Sequence, residues 1–280
     1  MLDKADLKRA SLPKPGDATA SAEAAEDAAA LAGSTTDRVL GIMDLFTEEE
    51  PIWTAEAMVE RLRSTRSTIY RYLRALIGSG FLAQVGGGGY ALGPRIIALD
   101  RQIRVADPLL RLAPPIMAAQ RDAVAGTQLL CRYYGVRVLS IFEERSDPRI
   151  ETSFDRGRPF SLFRGSASRV ILANLPQAQL QRLFLNHANE IVAAGYGATW
   201  PAFRDTLKTI RKRGFAVLSD IDPEVIGVSA PIFAAPDVVT ASLVLARLKR
   251  EVTERDIDDL AAMAIDSTGR ISALLQGQGI

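Results

Sequence analysis

The chain has 280 residues, 48% of them hydrophobic, with 34 lysines and arginines against 33 aspartates and glutamates and a formal net charge of +1. That length favours two domains over one small core. A single cysteine (Cys131) and a single histidine (His187) exclude an internal disulfide, a multi-thiolate zinc site and imidazole-based metal binding, and leave few groups for a general base near neutral pH.

Residues 1–34 are rich in alanine and in charges of both signs, and lack the apolar block of a secretory signal. They are read as a disordered tail with a transient helix near residues 22–31. Apolar runs such as 241–246 fall far short of the ~20 residues that span a bilayer, so no membrane association and a cytoplasmic location are expected. Val39, Ile42, Met43 and Phe46 then recur at the spacing of one helix face. Ser34 and Asp37 supply a capping box, and the helix should end before Pro51. Thr54 caps a second helix with Ala55, Met58, Val59 and Leu62 as its buried stripe, while Trp53 and Met58 are spaced for a hydrophobic staple.

Between Arg61 and Arg74 lie five arginines and no acidic residue. After a break at Arg63 and Ser64 the pattern predicts a third helix, running to about Gly78. At helical spacing Ile69, Tyr72, Leu73, Leu76 and Ile77 gather on one side. Ser67, Tyr70, Arg71 and Arg74 gather on another, with Arg66 in the first turn. The first side anchors the helix; the second carries donors long enough to reach base edges. Residues 81–85 and 90–92 read as the strands of a hairpin around four glycines, whose tip can approach a phosphate backbone. No strand–glycine–helix context makes those glycines a nucleotide site. The order is that of a winged helix-turn-helix over residues 35–93, with Thr65, Arg66, Ser67, Thr68, Tyr70, Arg71, Arg74, Gly87 and Gly88 as candidate DNA contacts. A three-helix module that binds no DNA is the alternative.

Residues 94–107 read as a linker helix whose Ile96, Ile97, Leu99, Ile103 and Val105 suit contact with another subunit or domain. A helix over 109–124 follows, interrupted or kinked by Pro114-Pro115. Strands are expected at 127–134, 136–143, 149–154 and 158–163, then helices at 166–173, 177–193 and 200–213. Strands return at 215–218, 225–233 and 238–248, before a terminal helix capped by Thr253 and Asp256. This order makes residues 108–280 an α+β domain.

With these elements in place, the chain resembles the IclR (isocitrate lyase regulator) family of bacterial transcription factors over roughly residues 37–275. Arg66-Ser-Thr-Ile-Tyr-Arg-Tyr-Leu73 is similar to the family's Ser-Thr-x-x-Arg-x-Leu recognition helix, and Ser79-Gly-Phe-Leu82 and Tyr90-Ala-Leu-Gly93 resemble its wing. Gly165-Ser-Ala-Ser-Arg169, Gly214-Phe-Ala216 and Gly227-Val-Ser-Ala-Pro231 resemble segments of its large domain. The resemblance implies a GAF/PAS-like effector-binding domain, a small organic effector (often a carboxylate or aromatic metabolite), and a homodimer or homotetramer on pseudo-palindromic double-stranded DNA. Ser168-Arg169 replaces the family's usual Gly-Lys pair, and Val244 and Ala246 stand where serines are common, which implies a more apolar pocket.

Phe163-Arg164-Gly165-Ser166 lies between a strand and a helix start, where free amides and a guanidinium can grip a carboxylate. An anionic effector is therefore expected against Cys131, Phe163, Arg164, Gly165, Ser166, Asp220, Asp222, Gly227, Ser229, Val244 and Ala246. Arg164 as an ordinary surface residue is the alternative. Cys131 sits in an apolar strand and reads as packing rather than a redox sensor; His187 reads as a surface residue. No cofactor, metal or catalytic role is expected, because no nucleophile–base constellation or serine elbow is present. A small-molecule hydrolase with an accessory winged helix and a winged-helix protein-interaction module stand as competing functions beside the ligand-controlled, DNA-binding regulator. In that regulator, coupling between effector and DNA should pass through the linker helix.

Overall fold

The computed structural model describes residues 34–150 and 156–278, and it divides the chain into two bodies between Ile103 and Arg104. The tail expected before residue 34 and most of the strand expected at 149–154 lie outside the described residues.

The N-terminal body is built from short, well-capped helices. In α1 (Thr35–Met43) Ser34 and Asp37 cap each other: the Asp37 carboxylate accepts from Ser34 N at 2.7 Å and Ser34 Oγ accepts from Asp37 N at 3.4 Å. Thr54 Oγ1 accepts from Ala57 N at 3.2 Å to start α2 (Ala55–Arg61), and Thr65 Oγ1 accepts from Thr68 N at 3.3 Å to start α3 (Arg66–Gly78). The wing is a three-stranded antiparallel sheet in the order β1-β3-β2, with β1 at Trp53–Thr54, β2 at Leu82–Val85 and β3 at Gly89–Leu92. Its first strand was not expected, since two residues carry no periodic signal. Ile42, Met58, Ile69, Leu73 and Leu82 form the core, with Trp53 packed against it. Gly93 must be glycine, because a Cβ there would stand 2.3 Å from the Gly80 carbonyl oxygen.

Helix α4 (Pro94–Ala106) is continuous across the division. The C-terminal body continues with α5 (Pro108–Ala119), α6 (Arg121–Val124), β4 (Thr127–Tyr134), β5 (Arg137–Arg145) and β6 (Pro159–Ser161). Next come α7 (Gly165–Ala173), α8 (Gln177–Asn186), α9 (Ala188–Ala193) and α10 (Trp200–Arg213). The chain closes with β7 (Ala216–Leu218), β8 (Val225–Ala235), β9 (Val238–Leu248) and α11 (Glu254–Gly277). Six antiparallel strands form one sheet in the order β6-β5-β4-β9-β8-β7.

That sheet is apolar on both faces, and the period-2 alternation of its central strands feeds two separate cores. Leu130, Leu243 and Leu245 face α5 and α11, packing with Ala113, Met117, Leu260 and Ala264. Leu129, Cys131, Val244 and Ala246 face the other way, toward Ile171 of α7 and Phe203 of α10. The expected α+β class and two-domain architecture are what the structure has.

Three local expectations need correction. Pro114 and Pro115 lie inside α5 without breaking it; burial of Ala113, Ile116 and Met117 along the same helix outweighs the hydrogen bonds that proline removes. The break comes instead at Gln120, whose amide links Gln128 of β4 (2.7 Å) to Ser267 of α11 (2.6 Å). The helix expected over 177–193 is two helices, α8 and α9, parted at His187 by a backbone at φ −128°, ψ 34°. Arg149 and Ile150 form no strand: Arg149 turns back onto Asp147 (2.7 Å) and pairs with Glu251 (2.9 Å). At the start of α11, hydrogen bonds from Thr253 hold the Asp256 carboxyl below the usual carboxylate range, which completes a second capping box.

Candidate functional site

Helix α3 presents Arg66, Ser67, Tyr70, Arg71 and Arg74 on its exposed side, while Ile69, Tyr72, Leu73 and Leu76 are buried beneath them. The guanidinium of the exposed Arg71 lies over the buried Tyr72 ring at 5.2 Å, so the tip of this side chain is partly ordered by an aromatic beneath it. Tyr70 is 46% exposed, and its hydroxyl donates to Glu56 Oε1 at 3.4 Å. The Glu56 charge, ahead of burial, raises the Tyr70 pKa, so the phenol stays a donor. Thr65 and Thr68 differ from the others. Their hydroxyls bond each other at 2.9 Å and close the helix cap, which limits what they offer to a ligand. At the wing tip Gly87 and Gly88 adopt φ +74° and +75° in open space, a backbone that only glycine takes without strain. Glu56 was not anticipated on this face; its position in the first turn of α2 gave no hint that it would meet Tyr70.

In the C-terminal body a cavity of about 490 Å³, counting the space at its mouth, lies between the sheet and the start of α7. Its floor is Leu129 and Cys131 of β4, Gly227 of β8, and Val244 and Ala246 of β9. Gly165, Ser166 and Ser168 of α7 overhang it, and Arg164, Asp220 and Asp222 stand around it. Gly227 is what lets α7 come so near: a Cβ there would meet Ser166 Oγ at 2.9 Å and Val244 Cγ1 at 3.3 Å.

Charge around the α7 N-terminus is already partly balanced. Gly165 N donates to Asp220 Oδ2 at 3.3 Å, Arg164 Nη2 donates to the Asp220 carbonyl at 2.8 Å, and Arg169 Nη2 lies 3.9 Å from the same carboxylate. Asp220 thus sits where the helix N-terminus favours an anion. Several buried polar atoms nearby find no hydrogen-bond partner among the described residues: Ser168 Oγ, Arg169 Nε, Tyr196 Oη and Asp220 Oδ1. Burial is the main cause raising the Tyr196 pKa. It also pushes the Cys131 thiol up to about 12, so the sulfur is a neutral part of the floor and no nucleophile.

Nine residues of the expected effector set therefore surround one cavity, and two do not. Phe163 points into the core, 3% exposed, with its ring 5.4 Å from that of His187. Ser229 lies one layer behind the wall, where its hydroxyl donates to Ser166 Oγ at 2.6 Å. His187, expected at the surface, is half-buried by Phe163 and bonded to Glu190 at 2.7 Å. Eight lining residues were missed, among them Leu129, Ser168, Ser219, Ile221 and Phe160; Ser219 and Ile221 flank residues already singled out, whereas nothing in the sequence marked Phe160. Among the described residues no group of three or more metal-ligating side chains comes together. No helix among them is long and apolar enough to cross a membrane. The cavity is suited to holding a small, largely apolar molecule with its polar end at α7.

Residues 35–86 match the family model described as the IclR helix-turn-helix domain, and residues 109–273 match that of the bacterial transcriptional regulator IclR C-terminal region. The probable HTH-type transcriptional regulator ArcR of Halobacterium salinarum is 24% identical over 245 residues, covering 84% of this chain and 91% of its own length. The uncharacterized HTH-type transcriptional regulator RhmR of Escherichia coli is 27% identical over 244 residues, with coverages of 85% and 92%. Among solved structures, an IclR transcriptional regulator from Alicyclobacillus acidocaldarius superposes with a TM-score of 0.72 at 19% identity, covering 86% of this chain and 98% of that one. An IclR homolog from Microbacterium hydrocarbonoxydans, complexed with 4-hydroxybenzoate, gives a TM-score of 0.70 at 17% identity, with coverages of 87% and 100%. At such identities these structures are evidence for the fold alone.

Proposed function

The chain belongs to the IclR family of bacterial transcriptional regulators, and we propose that it is a cytoplasmic, homodimeric or homotetrameric regulator whose operator affinity is set by a small organic anion. The observation that carries this reading is the pairing, in one chain, of an exposed donor-bearing helix with a ligand-sized cavity headed by a helix N-terminus. Arg66, Ser67, Tyr70 and Arg71 read base edges in the major groove; Arg74 and the backbone of Gly87 and Gly88 contact phosphates. Thr65 and Thr68 hold the start of the reading helix.

The effector carboxylate lies at the first turn of α7 and Arg164, with its apolar body on Cys131, Val244 and Ala246. Asp220, already present at that end, favours an anion that also carries a hydrogen-bond donor. The 4-hydroxybenzoate bound by the Microbacterium homolog belongs to that class, which supports hydroxylated carboxylates as the first compounds to try.

Gel-shift titration with the promoter DNA flanking the protein's own gene tests the function. Specific retardation whose affinity falls steeply with salt is expected; no retardation even at low salt would reject it. For the cavity, calorimetry with the carboxylate that alters operator affinity should show Arg164→Ala binding at least tenfold more weakly, about 1.4 kcal/mol, as a charge-assisted contact is lost. An unchanged affinity would remove Arg164 from the site.

A further inference from the structure

We propose that Asp107, the single residue joining α4 to α5, is a clasped hinge. It carries occupancy of the ligand cavity to the linker helix, and Arg132 of β4 is the other half of the clasp. This inference rests on the ligand-responsive reading above.

The joint is one residue long: α4 ends at Ala106 and α5 begins at Pro108. Asp107 holds an extended backbone at φ −77°, ψ 113°. The following proline disfavours a helical conformation there, which narrows the states the joint can take. Its carboxylate makes two contacts. Oδ1 accepts from Leu109 N at 3.0 Å and caps α5, while Oδ2 pairs with Arg132 Nη1. Asp107 is only 8% exposed, unusual for a carboxylate. A charge so poorly hydrated depends on its partner, so the pair favours two discrete arrangements, clasped and released, over a continuum.

Arg132 follows Cys131 in β4, and neighbouring residues of a strand point to opposite faces. Cys131 lines the ligand cavity on one side of the sheet; Arg132 reaches Asp107 from the other. Beside this point β5 carries one extra residue, Ile141, between the Leu130–Phe142 and Cys131–Ser140 pairs, while β4 keeps an unbroken register with β9. A second cavity, of about 380 Å³ counting the space at its mouth, adjoins the clasp between Pro108, Leu109, Arg132, Thr240 and Leu275, so the joint borders open space and not only close-packed core. A ligand that presses on Cys131 therefore acts on the strand that carries the clasp, and the clasp holds the one residue through which α4 passes into α5.

Two substitutions separate the clasp from the cap. Asp107→Asn keeps a capping side chain and removes the charge; Arg132→Met removes the guanidinium and leaves Asp107 intact. Each single variant should change the operator dissociation constant of the ligand-free protein at least fivefold. The double variant should be no further displaced than either single one, because both remove the same contact. Melting temperatures measured alongside give the structural control. A lowered melting temperature with unchanged operator affinity, or strictly additive effects in the double variant, would overturn the hinge. If a variant does not fold, hydrogen exchange on the wild-type protein with and without operator DNA decides: altered protection of the Leu109 amide is expected, and an unaltered one overturns the proposal. Absence of operator binding by the wild-type protein overturns the function itself and the hinge with it.

Discussion

Replacing Arg71 with alanine should weaken operator binding about fivefold to 150-fold, the effect of losing about 1–3 kcal/mol at one base pair, and should relax base preference there. The expectation follows from how the side chain is held. Arg71 emerges from the middle of α3, past the capped first turn, and its guanidinium lies over the buried Tyr72 ring. A partly ordered arginine loses less side-chain entropy when it engages a guanine than a freely rotating one. Arg74→Ala should behave differently: every sequence is bound more weakly, and the slope of log affinity against log salt falls by about 1. Parallel gel-shift titrations on the operator and on a scrambled duplex tell the two apart. Equal losses on both duplexes for Arg71→Ala would demote it to a phosphate contact.

The largest loss of stability is expected from Phe203→Ala. Phe203 is fully buried, and its ring lies within 6 Å of three others: Tyr196 at 5.6 Å, Phe184 at 5.6 Å and Trp200 at 5.9 Å. Truncation of such a ring costs about 3–5 kcal/mol, through lost transfer energy and the cavity left behind. For a domain of this size that is a drop of about 6–20 °C in melting temperature. The damage should reach the ligand cavity, since α10 props α7 from behind: Arg211 Nε of α10 donates to the Ala173 carbonyl at the end of α7 at 2.6 Å. Calorimetric scans should show the C-terminal transition shifted, and Phe203→Leu should recover more than half of the loss. A shift of less than 3 °C would mean that the ring cluster repacks around the gap.

What could be read from the sequence was whatever carried a pattern. The stripe Ile69, Tyr72, Leu73, Leu76 announces itself because burial on one face forces the repeat, and the strand 238–248 because burial on both faces demands a nearly unbroken apolar run. Breaks without glycine or proline stayed hidden: Gln120 and His187 end helices through tertiary contacts, with Gln128 and Ser267 in one case and Phe163 in the other. Proline misled in the opposite direction at Pro114-Pro115, where burial overrides local preference. Val244 and Ala246 of the cavity wall were legible through the family resemblance, and the structure puts both on the face of β9 that lines the cavity. The wall was not legible at Phe160, whose strand is three residues long. Phe163 was misassigned because a turn leaves no parity to follow.

The two-sided sheet has a consequence for how such a protein changes over generations. On β4 the odd positions 129 and 131 face the ligand cavity, and the even position 130 faces the helices behind it. On β9 the even positions 244 and 246 face the cavity, and the odd positions 243 and 245 face away. Substitutions of one parity can therefore reshape what the cavity accepts while the other parity keeps the opposite core packed. Residues that are neighbours in the chain thus serve different tasks, one set shaping the cavity and the other packing the opposite core, so one or two side-chain exchanges can change the cavity's chemistry without redesign of the fold.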